Sequence, residues 1–290
     1  MVTAQAALSG ALVGGLYALM AVGLSVTWGM LKLINLAHFA LILLGAYLSY
    51  QLATSWGLDP LLTVVVTAPA LFVVAALLHY AYDRLGISEL NSLLVTFGLL
   101  VIAIQTVSNI WSADFRRMTD EVNPYSAESV SIGDFVFPLP TLLAFGCAVV
   151  IVGVAQLVLS RTFVGRALRA FAEDRTVAAA FGIDHRRLGM LLAGTVGASA
   201  AIAGMLFALS NSLTPSTPFE WFGIVFAVVI LGGIGNVVGT LVSGVLVGCL
   251  NAVVAVVWSP AAAPFVLFSA IIVALLFRPQ GLLPSTGGAR

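Results

Sequence analysis

The sequence predicts an all-α polytopic membrane protein with about 8–10 transmembrane helices, two broken or re-entrant segments and a two-half pseudo-repeat. Three observations predict it. The 290 residues are 61% hydrophobic and only 8% charged, with mean hydropathy +1.11, whereas a soluble domain carries about 25% charged residues. No water-soluble surface can be made from that composition. The apolar runs reach helix length and lack the roughly ten-residue alternation of outer-membrane strands, so the backbone is satisfied within helices. Glycine- or asparagine-bearing interruptions at 29–38 and 231–239 fall at similar places in the two halves.

The first apolar run covers 6–28 and carries Gly10-x-x-x-Gly14, then Gly15 and Gly23, so its backbone can approach a neighbour closely. The opening residues lack a basic n-region, so this run is expected to be a retained helix and not a cleaved signal. After the first break, 36–55 is a second span. A third opens at Asp59-Pro60 and runs to Tyr82, and a fourth covers 88–111. In the fourth, Ser92 and Thr96 stand one turn apart on one face. This first half, 1–111, is followed by a polar external segment, 112–138, with Asp114, Asp120, Glu121, Glu128 and Asp134 against Arg116 and Arg117. The second half, 139–278, holds spans at 139–160 and 188–209, a turn-rich loop at 210–220, a run from Trp221 into the second break, a helix to Trp258, and a last run at 264–277. The whole is read as a single transmembrane domain.

Orientation follows from the cations. With nine crossings, Lys32, Arg84, six arginines in 161–188, Arg278 and Arg290 fall inside, and only Arg116 and Arg117 fall outside. The N-terminus is then outside and the C-terminus cytoplasmic. Trp28, Trp56, Trp111, Trp221 and Trp258 all fall near span ends, as interfacial anchors do.

Broken helices at matching places point to a substrate path, although tight loops with close-packed flanks would read the same way. Asn35 and His38 belong to the first break, and Gly232, Gly233, Gly235 and Asn236 to the second. An intramembrane histidine is either functional or bonded to a neighbouring carbonyl to order the break.

Much chemistry is excluded. Lys32 is the single lysine and follows leucine, so no phosphate-cradling Gly-Lys-Ser/Thr loop exists. There is no His-Glu-x-x-His, Cys-x-x-Cys or Gly-x-Ser-x-Gly, and no catalytic or metal-ligating set is expected. Cys147 and Cys249 lie within apolar runs as small core residues. Acidic residues sit in loops or at span ends, which argues against a proton- or sodium-coupled carrier. Formal net charge is zero, so bulk charge does not suggest nucleic acid.

The segment 161–188 is the exception to this hydrocarbon. Val164, Ala167, Leu168, Phe171 and Ala172 make one apolar helix face. A second short helix is expected with Glu173 and Asp174 in its first turn and Ala178, Ala179 and Ala180 in its body. Gly182 is its left-handed cap, with Ile183 as the accompanying apolar contact.

Here the chain resembles the permease subunits of branched-chain amino acid ABC importers, the LivH family. The resemblance rests on Ala172-Glu173-Asp174, Ala178 and Gly182-Ile183, on residues 15–19, on 34–38 and on 231–240. It implies an ATP-driven importer for a small polar solute in a bacterial or archaeal cytoplasmic membrane, working by alternating access. It implies a second permease subunit, homologous or identical, two cytoplasmic ATPases that bind ATP and Mg, and an extracytoplasmic solute-binding protein; this chain itself carries no cofactor. Coupling to the ATPase would fall to Arg169, Glu173, Asp174, Ala178, Gly182 and Ile183. The path would involve Tyr17, Asn35, His38, Ser92, Thr96, Gly232, Gly233, Gly235 and Asn236. The competing class is a stand-alone channel or facilitator for a urea- or amide-like solute, with the breaks as its filter.

Overall fold

In the computed structural model, which describes residues 2–278 and 281–283, the first apolar run forms α1 (Val2–Val26) and passes directly into a π-helical turn at Thr27–Leu31. Lys32 then takes a left-handed φ of 54°, and the chain stays non-helical until α2 (Ala37–Trp56) begins. His38 thus belongs to the first turn of α2 and not to the break. Next come α3 (Val64–Arg84) and α4 (Glu89–Trp111), the latter capped by the Ser88 hydroxyl. The second half holds α5 (Leu139–Arg161), α6 (Phe163–Glu173), α7 (Arg175–Ala180), α8 (His185–Ser210), α9 (Thr217–Gly232), α10 (Val237–Val257) and α11 (Ala262–Phe277).

Among the described residues, seven helices are long and apolar enough to cross a membrane, while α9 and α11 are apolar but shorter. Contacts sort the connections onto two faces. On one, Gln5 donates to the Val136 carbonyl (2.7 Å), Tyr125 donates its hydroxyl to Asp59 (2.8 Å), and Arg116 pairs backbone with Leu213. On the other, Arg186 meets Asp83 (2.7 Å) and the Leu282 N–H reaches the Leu231 carbonyl (2.7 Å). Helices α9 and α11 fall on the expected apolar runs from Trp221 into the second break and at 264–277. Arg290 lies outside the described residues. The hydrogen bond from Tyr125 to Asp59, then burial and the nearby Asp59 and Glu128 charges, holds this phenol above its ordinary pKa.

Close packing through small residues builds the interior, as expected where lipid tails remove the hydrophobic drive between helices. Gly10 and Gly14 of α1 face Gly244 and Gly248 of α10; a Cβ on Gly10 would lie 2.5 Å from the Gly248 carbonyl oxygen. Helix α8 lies on α2 in the same way, with a Cβ on Gly45 falling 2.8 Å from Ala201 Cα.

Within the external segment, β1 (Ser129–Ile132) pairs antiparallel with β2 (Phe135–Pro138). The Gly133-Asp134 turn joins them, with Gly133 at φ 62°, the first-position glycine that a two-residue hairpin turn accepts. One expectation is corrected: not all tryptophans are interfacial anchors. Trp56 and Trp258 are exposed, but Trp221 is buried edge-on against Phe207 at 4.6 Å, and the half-buried Trp111 donates its indole N–H to Gln51 (2.7 Å).

Candidate functional site

The helix pair α6–α7 is built by local caps. The Thr162 hydroxyl accepts from the Gly165 N–H (3.2 Å) and starts α6. Gly165 nests on the Val158 and Leu159 carbonyls, where no Cβ would fit, so α6 folds back tightly on the end of α5. Arg169 strengthens that corner by donating to the Leu159 carbonyl (2.8 Å). Asp174, with extended backbone, ends α6, and its carboxylate accepts the Val177 N–H (3.0 Å) to cap α7. Glu173 is therefore the last residue of α6, a correction to its expected place in the first turn of α7. The physical reason is that the extended φ/ψ falls on Asp174, and only the residue at the cap can reach back to the N3 amide.

Gly182 takes φ 79° and the predicted cap forms. The Ile183 N–H reaches the Ala178 carbonyl (3.2 Å) and the Gly182 N–H the Ala179 carbonyl (2.9 Å), the two bonds of a Schellman motif. Glu173, Asp174 and Gly182 are exposed, and Ile183 is half-buried. Ala178 is only 3% exposed. It faces inward, so it anchors the helix instead of offering contact. Val164, expected on the buried face, is 44% exposed.

What α6 and α7 bury is the informative point. Phe171 and Ala178 cluster with Leu31, Leu33 and Tyr82. The helix pair is seated directly under the first break. Phe171 also lies parallel to His185 at 6.3 Å between ring centres, and the neighbouring Arg186 grips Asp83 at the end of α3.

The first break is held from α4. The Leu36 N–H donates to the Thr96 hydroxyl oxygen (2.9 Å), which stands 3.2 Å from the Ile34 carbonyl, and the Ser92 hydroxyl stands 3.4 Å from the same carbonyl. The His38 Nε2 meets the Met20 carbonyl at 2.9 Å, and the fully buried ring packs where Gly23 leaves space on α1. That is the carbonyl-bonded, ordering arrangement. Asn35 is half-buried beside a cavity of about 10 Å³ shared with Thr27, His79 and Tyr82. Tyr17 stands apart, farther along α1, against the Asn251 side chain.

In the second break, Gly233 and Gly235 take φ 91° and 81°, backbone that a side chain would strain. Asn236 caps α10 by accepting the Gly239 N–H (2.8 Å) and donates to the Leu283 carbonyl (2.6 Å). The two breaks touch. Gly29 lies against Gly235, and the Gly235 N–H donates to the Ser25 hydroxyl (3.1 Å).

The structure thus brings Asn35, His38, Ser92, Thr96 and the 232–236 glycine turn to one end of the bundle and leaves Tyr17 outside. Sequence reasoning missed Leu31 and Leu33, which carry the contact with α6 and α7. It also missed Phe181, 83% exposed at the tip beside the Gly182 cap; an aromatic directly before a capping glycine was the available signal. Phe39 is fully buried, 4.5 Å edge-on from Phe222 and stacked on Phe226, so it fills the space between α2 and α9. A cavity of about 450 Å³ between α1, α5, α6 and α8 is lined by none of the expected path residues.

Comparison with known proteins places this geometry. Residues 6–276 match the family described as branched-chain amino acid transport system, permease component. The chain is 29% identical to the high-affinity branched-chain amino acid transport permease protein BraD of Pseudomonas aeruginosa, over 96% of this chain and 95% of that protein. It is 25% identical to the corresponding permease protein LivH of Escherichia coli K12, over 96% and 94% of the two chains. It is 24% identical to LivM of the same organism, over 93% of this chain and 68% of LivM. No solved structure matches. The chain, a multi-pass membrane protein whose two helix breaks meet above a capped helix pair, belongs to the branched-chain amino acid transport permease family.

Proposed function

We propose that this chain is the membrane-spanning subunit of an ATP-driven importer for branched-chain or related amino acids. The observation that carries the reading is the seating of α6 and α7 on Leu31 and Leu33 of the first break. A push on the exposed edge of this pair, at Glu173, Asp174, Phe181 and Gly182, bears directly on the break. Through Phe171 on His185, and Arg186 on Asp83, it also bears on α8 and α3. The contact of Gly29 with Gly235 then closes or parts the cytoplasmic end of the bundle, and solute passes without covalent chemistry. Alternating access of this kind needs rigid bodies that pivot about a fixed site.

ATP and Mg are bound by separate cytoplasmic ATPases, two per importer. A second permease completes the path; the likeness of this chain to both LivH and LivM of one organism favours a homologous partner over an identical one. The cation-rich α6–α7 face is cytoplasmic, in the bacterial or archaeal inner membrane, with the N-terminus outside. The acidic segment with its hairpin is the docking surface for an extracytoplasmic binding protein. Uptake of labelled leucine into proteoliposomes tests the reading. It is expected only with the second permease, the ATPases, the binding protein and ATP together. Transport by the chain without an ATPase would replace the importer with a facilitator.

A further inference from the structure

The cavity of about 450 Å³ is lined by α1, α5, α6 and α8. Val22, Val154, Val158, Leu168 and Leu191 form its walls. Its polar lining groups include Thr195 and Ser199, whose hydroxyls donate back to the Leu192 and Val196 carbonyls of their own helix, each at 2.8 Å. A ligand there is offered hydrocarbon. The volume falls within the roughly 300–1,000 Å³ of ligand sites, and the mouth is flanked by Val150, Val154 and Leu191, all exposed toward the bilayer.

The α5–α6 corner next to the cavity is of opposite character. Arg161 closes α5, and Arg166 and Arg169 follow on α6. Arg169 donates to the carbonyl of Leu159, whose residue also lines the cavity, which ties Arg169 to the α5–α6 corner. Among the described residues no carboxylate pairs with any of the three; the ion pairs present involve Asp83 and Asp184. Phe163 and Val164 are exposed beside these arginines, giving α6 the apolar-and-basic pattern of a helix lying in the membrane interface. A free anion has no use for the hydrocarbon wall, and a neutral lipid has no use for the cations.

We infer that the α1/α5/α6/α8 groove holds an acyl chain of an anionic phospholipid, with the phosphodiester headgroup on Arg161, Arg166 and Arg169. Basic sites between transmembrane helices recognise anionic headgroups in this way. Placement in the cytoplasmic leaflet rests on the orientation proposed above; the chemistry of the groove does not. The lipid then joins α5 to the corner of α6.

The test uses the full-length chain in its complete complex, in vesicles carrying traces of phosphatidylglycerol or phosphatidylcholine with a photoreactive acyl terminus. With phosphatidylglycerol, adducts are expected on 150–158 and 188–199. The paired change Arg161→Gln and Arg166→Gln weakens labelling by about 30-fold, roughly fivefold per arginine. Val154→Trp fills the groove and removes these adducts while labelling elsewhere persists. Equal labelling by both lipids, or adducts confined to other surfaces, overturns the inference. So does a Val154→Cys variant that crosslinks to the second permease and takes no lipid, because the groove is then a protein interface. ATP-driven uptake in the same vesicles reads the importer assignment separately: adducts without uptake refute the importer and keep the lipid site.

Discussion

The contact between the two breaks gives the sharpest test of how this fold moves. Alanine at Gly29 would drive a Cβ into the Gly235 Cα and to 2.8 Å from its nitrogen, where ordinary contact begins at 3.4 Å, so relief of the nitrogen contact alone takes 3.4 − 2.8 = 0.6 Å and Gly235 must withdraw farther than that. It cannot withdraw freely, because its N–H is held by the Ser25 hydroxyl and the adjoining turn is tied to the C-terminal segment through Leu231 and Leu282. Overpacking of this kind costs about 1–3 kcal/mol, and loss of the Ser25 bond adds about 1 kcal/mol. Since roughly 1.4 kcal/mol is tenfold in an equilibrium, Gly29→Ala is expected to shift the closed contact by tenfold or more. The assay is substrate moved per ATP hydrolysed in proteoliposomes, with thermal unfolding in detergent beside it. Gly29→Ala should hydrolyse ATP with about a tenth of the normal transport, and Ser25→Ala should fall between it and wild type. Gly98→Ala is the control, since a Cβ there meets nothing within 4 Å. A Gly29→Ala protein that matches wild type in both coupling and unfolding temperature would refute the idea that the breaks close on each other.

Three further outcomes are expected. Glu173→Lys, on the exposed edge of α6, abolishes ATP-driven uptake while expression and membrane insertion persist; unchanged uptake removes Glu173 from the coupling surface. Gly182→Val forces a β-branched residue to φ 79°, costing about 1–2 kcal/mol or more. It should reduce co-purification of the ATPase, and full recovery would show that the cap is dispensable. Thr96→Val deprives the buried Leu36 N–H of its acceptor and destabilises by about 1–3 kcal/mol, read as a lower midpoint in thermal unfolding.

The spans were legible because a bilayer demands long apolar runs, and the breaks because glycine and asparagine interrupt them. The cap at Gly182 was legible because it rests on local backbone geometry, while Asn236 was read as part of the break and not as the cap of α10. Which helix lies inside was not. Helix α1 with its π turn has mean hydropathy 1.8 and is 61% buried over its most apolar window, whereas α5 has 2.6 and is 17% buried. Lipid-facing surface must be hydrocarbon, while protein-facing surface can be glycine, serine or threonine, so hydropathy runs opposite to burial and the amphipathic signal of a soluble helix disappears. For the same reason Trp221 read as an anchor although it is core. The hairpin at 129–138 did carry a signal, the Ser-Val-Ser-Ile alternation before Gly133-Asp134, but strands of four residues are short enough to be overlooked in a polar segment. Ala178 stands in the coupling set through the family resemblance, which carries over a position and not the direction its side chain faces. The meeting of Gly29 with Gly235 joins residues about two hundred positions apart, and nothing local announces it.

That long separation also sets an order of assembly. Helix α1 presents Gly10 and Gly14 to α10, which is made more than two hundred residues later. At about 5–20 residues per second of synthesis, α1 waits on the order of ten seconds or more in the bilayer with its glycine face against lipid. During that interval the partner these glycines have in the folded chain does not exist, so a chain stopped before α10 lacks the Gly244 and Gly248 on which Gly10 and Gly14 pack. Quality-control proteases that survey the membrane would meet that glycine face on truncated or stalled chains and not on finished ones.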